Sequence, residues 1–373
     1  MGILFGTLCQ VQLRNRRIWY KTSVNKTERK VSQEPDKKGK TRYFKAPIFA
    51  VAPMMEWTDR HCRAFHRQLT ARSLLYTEMV TTGAVIHGDR QHLIGFSEIE
   101  HPIACQLGGS DPDEMAKASK IVADFGYDEV NINVGCPSDR VQSGRFGACL
   151  MQEPDLVASC VSAMKDAVDI PVTVKCRLGV DEQDTERALD DMADKVFAAG
   201  ADALWVHARK AWLQGLSPKE NRDIPPLDYD RVIRLKERMP DRFIGMNGGL
   251  QSLDQAEPFL EDLDGLMFGR AAYHTPRLLG EVDRRLYGSQ EGDVSPLDAV
   301  RAHMTYLEDQ LGKGVKLARM TRHMLGLFHG RPGARSWRRI LTVEAIKPVA
   351  GLDVVEKALA AVSPTDYDVE AAE

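Results

Sequence analysis

From residue 46 onward the chain alternates between two hydrophobic patterns. Short β-rich apolar runs recur at Ile48–Met54, Leu74–Val80, Ile103–Gly108, Glu129–Val134, Val172–Arg177, Ala203–Ala208, Phe243–Asn247 and Gly265–Phe268. They read as strands. Stretches of helical period separate them. Asp111-Pro112-Asp113-Glu114 opens one helix, with Asp as cap, Pro at the first position and Glu at the third. Thr185–Ala199 predicts another, carrying Leu189, Met192, Val196 and Phe197 on one face. Phe125-Gly126 and Ala199-Gly200 place glycine where a helix stops just before the next strand. Eight strands alternating with helices predict an α/β chain built as a (β/α)8 TIM barrel over residues 46–290, a fold that typically needs ~250 residues. The competing arrangement is an open doubly wound sheet. No strand is followed by a G-x-G-x-x-G turn, which weakens its dinucleotide-binding version.

Beyond residue 290 the β-rich runs disappear. Pro296–Gln310, Val315–Phe328, Ser336–Ile346 and Val354–Val362 read as helices, predicting a separate all-helical C-terminal domain over 291–362. An acidic tail follows over 363–373. At the other end, residues 12–45 hold twelve Lys and Arg against Glu28, Glu34 and Asp36. Residues 1–45 therefore read as a basic, disordered extension. It can help hold a polyanion, be an unconstrained tail, or act as a transit peptide; the acids near its end weigh against the last.

Composition narrows the class. Of 373 residues, 43% are hydrophobic and 28% charged, as in an ordinary soluble globular protein, and the net charge of -3 means charge arguments must be local. The seven cysteines form no C-x-x-C pair, so neither a disulfide framework nor a structural zinc site is expected. Such usage suits a reduced, cytoplasmic, metal-free protein. No apolar run approaches the ~18 residues a membrane span needs. Met1–Gly6 lacks a charged n-region and a cleavage site, and Gly6 spoils the myristoylation pattern.

The most informative stretch is Asn131-Ile132-Asn133-Val134-Gly135-Cys136-Pro137-Ser138. An apolar β run stops at Gly-Cys-Pro, which puts Cys136 on the rim where parallel α/β proteins do chemistry. Cysteine is more often a small buried hydrophobe, but a position between Gly and Pro argues for reactivity. The other predicted strand ends offer Pro53-Met54-Met55, Glu78, Gln106, Asn133, Lys175, Arg177, His207, Asn247-Gly248-Gly249 and Gly269-Arg270. Two glycine loops on consecutive last strands, the second followed by Arg270, predict a phosphate site. Lys175 and Arg177 at i, i+2 share one face of their strand, and the cost of charge there predicts an anion or the open rim. A flavin fits, because a nearby Lys stabilises the negative charge its N1–C2=O edge gains on reduction. His207 is followed by Arg209 and Lys210, again suggesting an anionic ligand.

The helical segment carries a second signal. From Gln310 to Val343 there is no Asp or Glu, while Lys313, Lys316, Arg319, Arg322, Arg331, Arg335, Arg338 and Arg339 all fall inside. Lys316, Arg319 and His323 share one predicted helical face, and Arg335, Arg338 and Arg339 repeat at i, i+3, i+4. Solvated faces normally mix signs, so this run points to a nucleic-acid backbone. Trp337 is either a base-stacking platform or a core residue.

Together these residues identify a family. The chain resembles the tRNA-dihydrouridine synthases, most closely their A-type subfamily, from about Ala46 to about residue 350. The resemblance rests on Ala52-Pro53-Met54-Met55, Thr77-Glu78-Met79, Gln106-Leu107-Gly108-Gly109, Asn131 through Arg140, Gly147-Ala148-Cys149-Leu150-Met151, Val174-Lys175-Cys176-Arg177, His207-Ala208-Arg209 and Asn247-Gly248-Gly249. Gln214 through Arg222 and Pro332-Gly333-Ala334-Arg335 look characteristic of the A-type. The resemblance implies an FMN-containing barrel whose C-terminal helices grip tRNA, reducing uridines 20 and 20a of the D-loop to 5,6-dihydrouridine with NADPH as transient reductant. It implies hydride transfer from FMN to C6 and a proton from Cys136 to C5. Pro53, Met54, Met55, Gln106, Lys175, His207, Asn247, Gly248, Gly249, Gly269 and Arg270 would hold FMN. Asn133 would lie beside the uracil, and Lys219, Arg222, Arg335 and Arg338 would contact tRNA, with Arg177 on the substrate side of the site. The base would have to leave its stack to be reached. The protein is expected to act as a monomer. Two other readings stand beside this one: a small-molecule FMN oxidoreductase of the dihydroorotate dehydrogenase kind, and a non-catalytic tRNA-binding chaperone.

Overall fold

The computed structural model describes residues 43, 47–138, 141 and 144–362. The basic extension, apart from Tyr43, and the acidic tail lie outside the described residues, as do Asp139 and Arg140. The eight predicted strands pair in parallel, in sequence order, and close on themselves as a (β/α)8 barrel: β1 Ile48–Val51, β2 Leu74–Thr81, β3 Ile103–Gly108, β4 Glu129–Val134, β5 Val172–Arg177, β6 Ala203–His207, β7 Phe243–Asn247 and β8 Gly265–Phe268. The closing pair aligns Ile48 with Gly265 and Val51 with Phe268. Most strand residues are buried, because a sheet covered by helices outside and filled by side chains inside has no wet face.

β1 stops three residues earlier than its apolar run. The Ala52 N–H still reaches Phe268 O at 2.7 Å, but Pro53 has no N–H to give, and the Met54 N–H turns to Thr58 Oγ1 at 2.9 Å. The barrel floor is filled by Tyr43, Ile48, Leu74, Tyr76, Trp205, Phe243 and Met267. Gly245 makes room for Trp205: a Cβ there would lie 2.3 Å from the indole ring.

The helices between strands follow their sequence signals. Pro112–Asp124 begins with the Asp111 side chain accepting the Glu114 N–H, and Thr185–Ala198 begins with Asp184 accepting from Glu186 and Arg187. Both stop just before glycines in the left-handed region, Gly126 at φ 97° and Gly200 at φ 95°. Leu189, Met192, Val196 and Phe197 face the sheet as predicted.

The C-terminal segment is helical but differs from its pattern in one stretch. Helices run over Pro296–Gly312, Ala334–Val343 and Leu352–Ala360. The single helix expected over 315–328 is instead a short α-helix, Leu317–Thr321, tightening into a 3-10 turn, Arg322–Met324. The tightening lets neighbouring residues Arg322 and His323 both reach Asp59, at 2.7 and 3.0 Å. Gly326 then passes so close to the barrel that a Cβ would lie 2.2 Å from His274 O. His323 is therefore buried rather than part of a basic face. Trp337 is also buried; its Nε1 donates to Met324 O and its ring meets Phe328 edge-on. It is a core residue and not a stacking platform. The segment docks on the helix Arg60–Leu69, where His61 Nδ1 lies 2.8 Å from Tyr306 Oη, and its buried apolar residues are continuous with those around the barrel. No helix among the described residues is long and apolar enough to cross a membrane.

Candidate active site

Cys136 sits two residues past the end of β4, in a loop fastened on three sides. Asn133 Oδ1 accepts the N–H of Gly135 at 3.0 Å and of Cys136 at 2.9 Å. Cys136 O accepts the Ala148 N–H at 2.9 Å, and Gly135 O accepts from Arg177 Nε at 2.8 Å. Cys62, Cys105, Cys160 and Cys176 are buried, and burial pushes each of their thiols up. Among the described cysteines only Cys136 and Cys149 are half-buried, and the Cys149 thiol is turned onto Phe146 O. Cys136 Sγ lies 3.5 Å from Ser138 Oγ and opens to a cavity.

Of the predicted cofactor residues, Met55 lines the cavity that Cys136 opens to, while Lys175, His207, Asn247, Gly248, Gly249, Gly269 and Arg270 stand at the ends of β5 to β8 or in the loops that follow them. Lys175 Nζ donates to Asn247 Oδ1 at 2.9 Å, and Asn247 Nδ2 donates to Met267 O at 2.7 Å, tying β5, β7 and β8 together. Burial, then repulsion from Arg177, brings the Lys175 ammonium down to about 8. Burial and the neighbouring Arg177 and Lys175 hold His207 neutral, its basicity well below that of a free imidazole. Gly248 at φ 121° and Gly249 at φ 67° turn the loop after β7 under this group, where Cβ atoms would strike His207 at 2.8 Å and Leu227 at 2.5 Å. Gly269 leads into the short helix Arg270–His274, and Arg270 pairs with Asp223 at 2.7 Å.

These residues fit a flavin mononucleotide by their chemistry. An ammonium stands at the mouth, and two backbone turns lack Cβ atoms. Arg209, beside Asp223 and Arg270, carries a buried Nε with no protein acceptor among the described residues. An orphaned buried guanidinium donor next to Gly and Arg loops suits a phosphate. Arg270 would have to share its guanidinium between that phosphate and Asp223.

Arg177 has a different setting from the anion or open rim expected for it. It is buried, and its guanidinium is spent on three backbone carbonyls: Gly135 at 2.8 Å, Lys210 at 2.9 Å and Asn221 at 3.1 Å. It braces the Cys136 loop against the loop after β6.

Between the barrel mouth and the helical segment lies a cavity of about 930 Å³. Met55, Glu78, Cys136 and Ser138 line it from the barrel, and Gln310, Arg319 and Arg322 from the helices. Burial raises the Glu78 carboxyl above its ordinary range. Asp59, also in the wall, feels burial pushing its carboxyl up, but His323, the Cys62 N–H and Arg322 outweigh it and hold the carboxyl well below the usual range. Glu78 stands out in the sequence as a strand end and in the Thr77-Glu78-Met79 motif, without a role, whereas the one visible signal of Asp59 is its place before a helix.

Of the predicted RNA-side residues, Lys219 and Arg222 belong to the loop after β6, which reaches the mouth, and Arg335 and Arg338 to the helical segment. Lys219 and Arg222 are exposed at the 3-10 turn Glu220–Arg222, with Arg222 O accepting from Arg270 Nη2 at 3.4 Å. On the helix Ala334–Val343, Arg335, Arg338 and Arg339 are exposed while Ala334, Trp337, Ile340 and Leu341 are buried. Arg338 lines a smaller cleft of about 340 Å³ with His274, Leu325 and His329. Cations of the acid-free run find acids outside it: Lys313 pairs with Asp309 and Arg322 with Asp59. The described residues contain no cluster of His, Cys, Asp or Glu able to hold a metal.

Known proteins share this sequence over most of its length. The family model described as Dihydrouridine synthase (Dus) matches residues 50–363. A Yersinia pestis protein named tRNA-dihydrouridine(20/20a) synthase is 55% identical over 321 residues, covering 86% of this chain and 93% of its own. Proteins of the same name from Shewanella oneidensis and Escherichia coli K12 are 57% and 53% identical, covering 83% and 90% of this chain and 92% and 97% of theirs.

Proposed function

The chain belongs to the dihydrouridine synthase family, and we propose that it reduces uridines 20 and 20a of the tRNA D-loop with FMN as resident cofactor and NADPH as transient reductant. It is a flavin-dependent tRNA-modifying oxidoreductase. In this reading it acts as a cytoplasmic monomer, residues 46–290 carry the chemistry and 291–362 grip the RNA. Neither a small-molecule flavin barrel nor a catalytically inert RNA chaperone accounts for both halves.

One observation carries the reading. Cys136 opens into the same cavity as Gln310, Arg319 and Arg322 of the basic helical segment, so an RNA held by that segment can present a base to the thiol. FMN, when bound, supplies the hydride to C6 of the uracil. Cys136 delivers the proton to C5, quenching charge that develops on the O4 side of the ring. The open cavity lets solvent return a proton to the thiolate afterwards. Asn133 fastens the two N–H groups that set where the thiol points. Lys175 provides positive charge in the mouth, which favours an electron-rich partner. Lys219, Arg222, Arg335 and Arg338 offer exposed cations to phosphates while the target base leaves its stack.

The test is Cys136→Ala. Reoxidation of the reduced flavin by tRNA should slow by roughly 10²–10⁴-fold, the usual worth of a positioned acid. Flavin content and flavin reduction by NADPH should hold. An unchanged rate of reoxidation by tRNA would remove Cys136 from the acid's role.

A further inference from the structure

Inside the barrel, Glu129, Asn131 and Asn133 stand on β4 at i, i+2 and i+4, so all three point inward at successive heights. Glu129 is fully buried at the floor, and hydroxyls of Tyr43, Tyr76 and Thr173 all donate to its carboxylate, Tyr76 at 2.5 Å and Thr173 at 2.6 Å. A continuous chain climbs from there. Asn131 Nδ2 donates to Thr173 Oγ1 at 2.8 Å, Gln106 Nε2 to Asn131 Oδ1 at 2.8 Å, and Asn133 Nδ2 to Gln106 Oε1 at 2.7 Å. Asn133 Oδ1 is thereby left facing the N–H groups of Gly135 and Cys136.

The order of donors and acceptors in this chain has one direction. A carboxylate only accepts, so Thr173 must give it its proton and has only a lone pair for Asn131. Asn131 must then show its NH2 to Thr173 and its oxygen to Gln106, and the same choice passes to Gln106 and to Asn133. Reversing any amide would set donor against donor, or leave a buried group unpaired.

We propose that Glu129, acting through Thr173 and Asn131, is a positioning residue: it fixes the amide orientation of Gln106 from below, backs the orientation that the Gly135 and Cys136 N–H groups impose on Asn133, and so holds the Cys136 loop from the barrel floor. The inference deepens the reading of Cys136 as the proton donor and rests on it for its functional meaning. The geometric claim stands separately.

The experiment follows Cys136 itself. In the full-length protein the rate of Cys136 alkylation by iodoacetamide is read by peptide mass spectrometry, beside flavin content and the rates of both half-reactions. Thr173→Val keeps the shape but deletes the hydroxyl that transmits direction. Asn131 and Gln106 then lose the direction set from the floor, Asn133 keeps only its two backbone N–H partners to hold it, the loop loosens, and Cys136 alkylation should rise at least about threefold. Reoxidation of reduced flavin by tRNA should fall about tenfold, and reduction by NADPH should stay within about twofold. Thr173→Ser, which restores the hydroxyl, should return each rate to within about twofold of the parent. Alkylation in Thr173→Val within about 1.5-fold of the parent would overturn the proposal, as would a Ser variant indistinguishable from the Val variant. If Thr173→Val does not fold, Glu129→Gln carries the same test, with a smaller rise in alkylation expected and no rise overturning it. Failure here leaves the outcome of Cys136→Ala untouched, so the two readings fail separately.

Discussion

The barrel interior and the outer face of the helix Ala334–Val343 treat charge in opposite ways. Inside, charged groups are matched to partners: Glu129 to three hydroxyls and Arg177 to three carbonyls. Outside, Arg335, Arg338 and Arg339 project into solvent from a segment free of acids. Charges of the first kind cost much to bury and so hold geometry once paired. Charges of the second kind fix little within the fold and stay available to an external polyanion. The difference separates where the chemistry is set from where the RNA would be held.

The largest effect should come from breaking an inner charge. Arg177→Met keeps the aliphatic stem but orphans the carbonyls of Gly135, Lys210 and Asn221. We expect a stability loss of about 3–5 kcal/mol, from the usual worth of charged hydrogen bonds and of buried acceptors left unpaired. Denaturant unfolding measures it, and a loss below about 1 kcal/mol would mean that the inner charge is not structural.

An outer pair should behave differently. The double change Arg335→Glu, Arg338→Glu should weaken tRNA binding by about 10–100-fold and leave flavin content and folding stability unchanged. The slope of log affinity against log salt should also fall, by roughly 0.7–0.9 for each phosphate no longer neutralised. Titrations across several salt concentrations read both effects. Loss of flavin in this variant would erase the contrast between the two regions.

Asp59 lies on the border between them. It caps the helix Arg60–Leu69 by accepting the His61 and Cys62 N–H groups, and it also clamps Arg322 and His323 of the helical segment. Asp59→Asn should loosen that docking by about 2 kcal/mol, seen as faster hydrogen exchange across 296–360. The sign of its pH dependence follows from a carboxyl held low in the folded state. Its contribution is complete above the unfolded value of about 3.9 and is lost only as pH falls toward the lower folded value. The variant should lack that acid-dependent step.

Much of this was legible along the chain, and what was not shares one physical cause. β3, β4, β5, β7 and β8 begin and end where their apolar runs do, because a strand buried in a barrel writes its own pattern locally. Cys136, Lys175 and the glycine loops could be placed on the rim because strand ends are also local. The links invisible in sequence are all long-range. Glu129 looks like a polar start to a strand, yet Tyr43, Tyr76 and Thr173 reach it from 86, 53 and 44 residues away. Asp59 reads as a helix cap, which it is, while its clamp on Arg322 spans 263 residues. The helix expected over 315–328 breaks where that clamp pulls on it.

The smallest effect concerns Lys175, an inner charge at the mouth. Lys175 has Asn247 beside it rather than a carboxylate, and burial brings its ammonium from 10.5 down to about 8. Below pH 8 the folded and unfolded chains both carry that proton, and the folded chain bears the cost of a desolvated charge. Between pH 8 and 10.5 the unfolded chain still binds the proton while the folded chain has released it. Stability of the flavin-free protein must therefore rise through this window, by on the order of 1 kcal/mol once partial wetting of the ammonium is allowed for. Lys175→Met has no proton to release. The difference in unfolding free energy between parent and variant should be level below pH 8, climb in favour of the parent from 8 to 10.5, and level off again. A flat difference throughout would mean that Lys175 is solvated like an outer charge, which would place the boundary between the two regions below the mouth rather than at it.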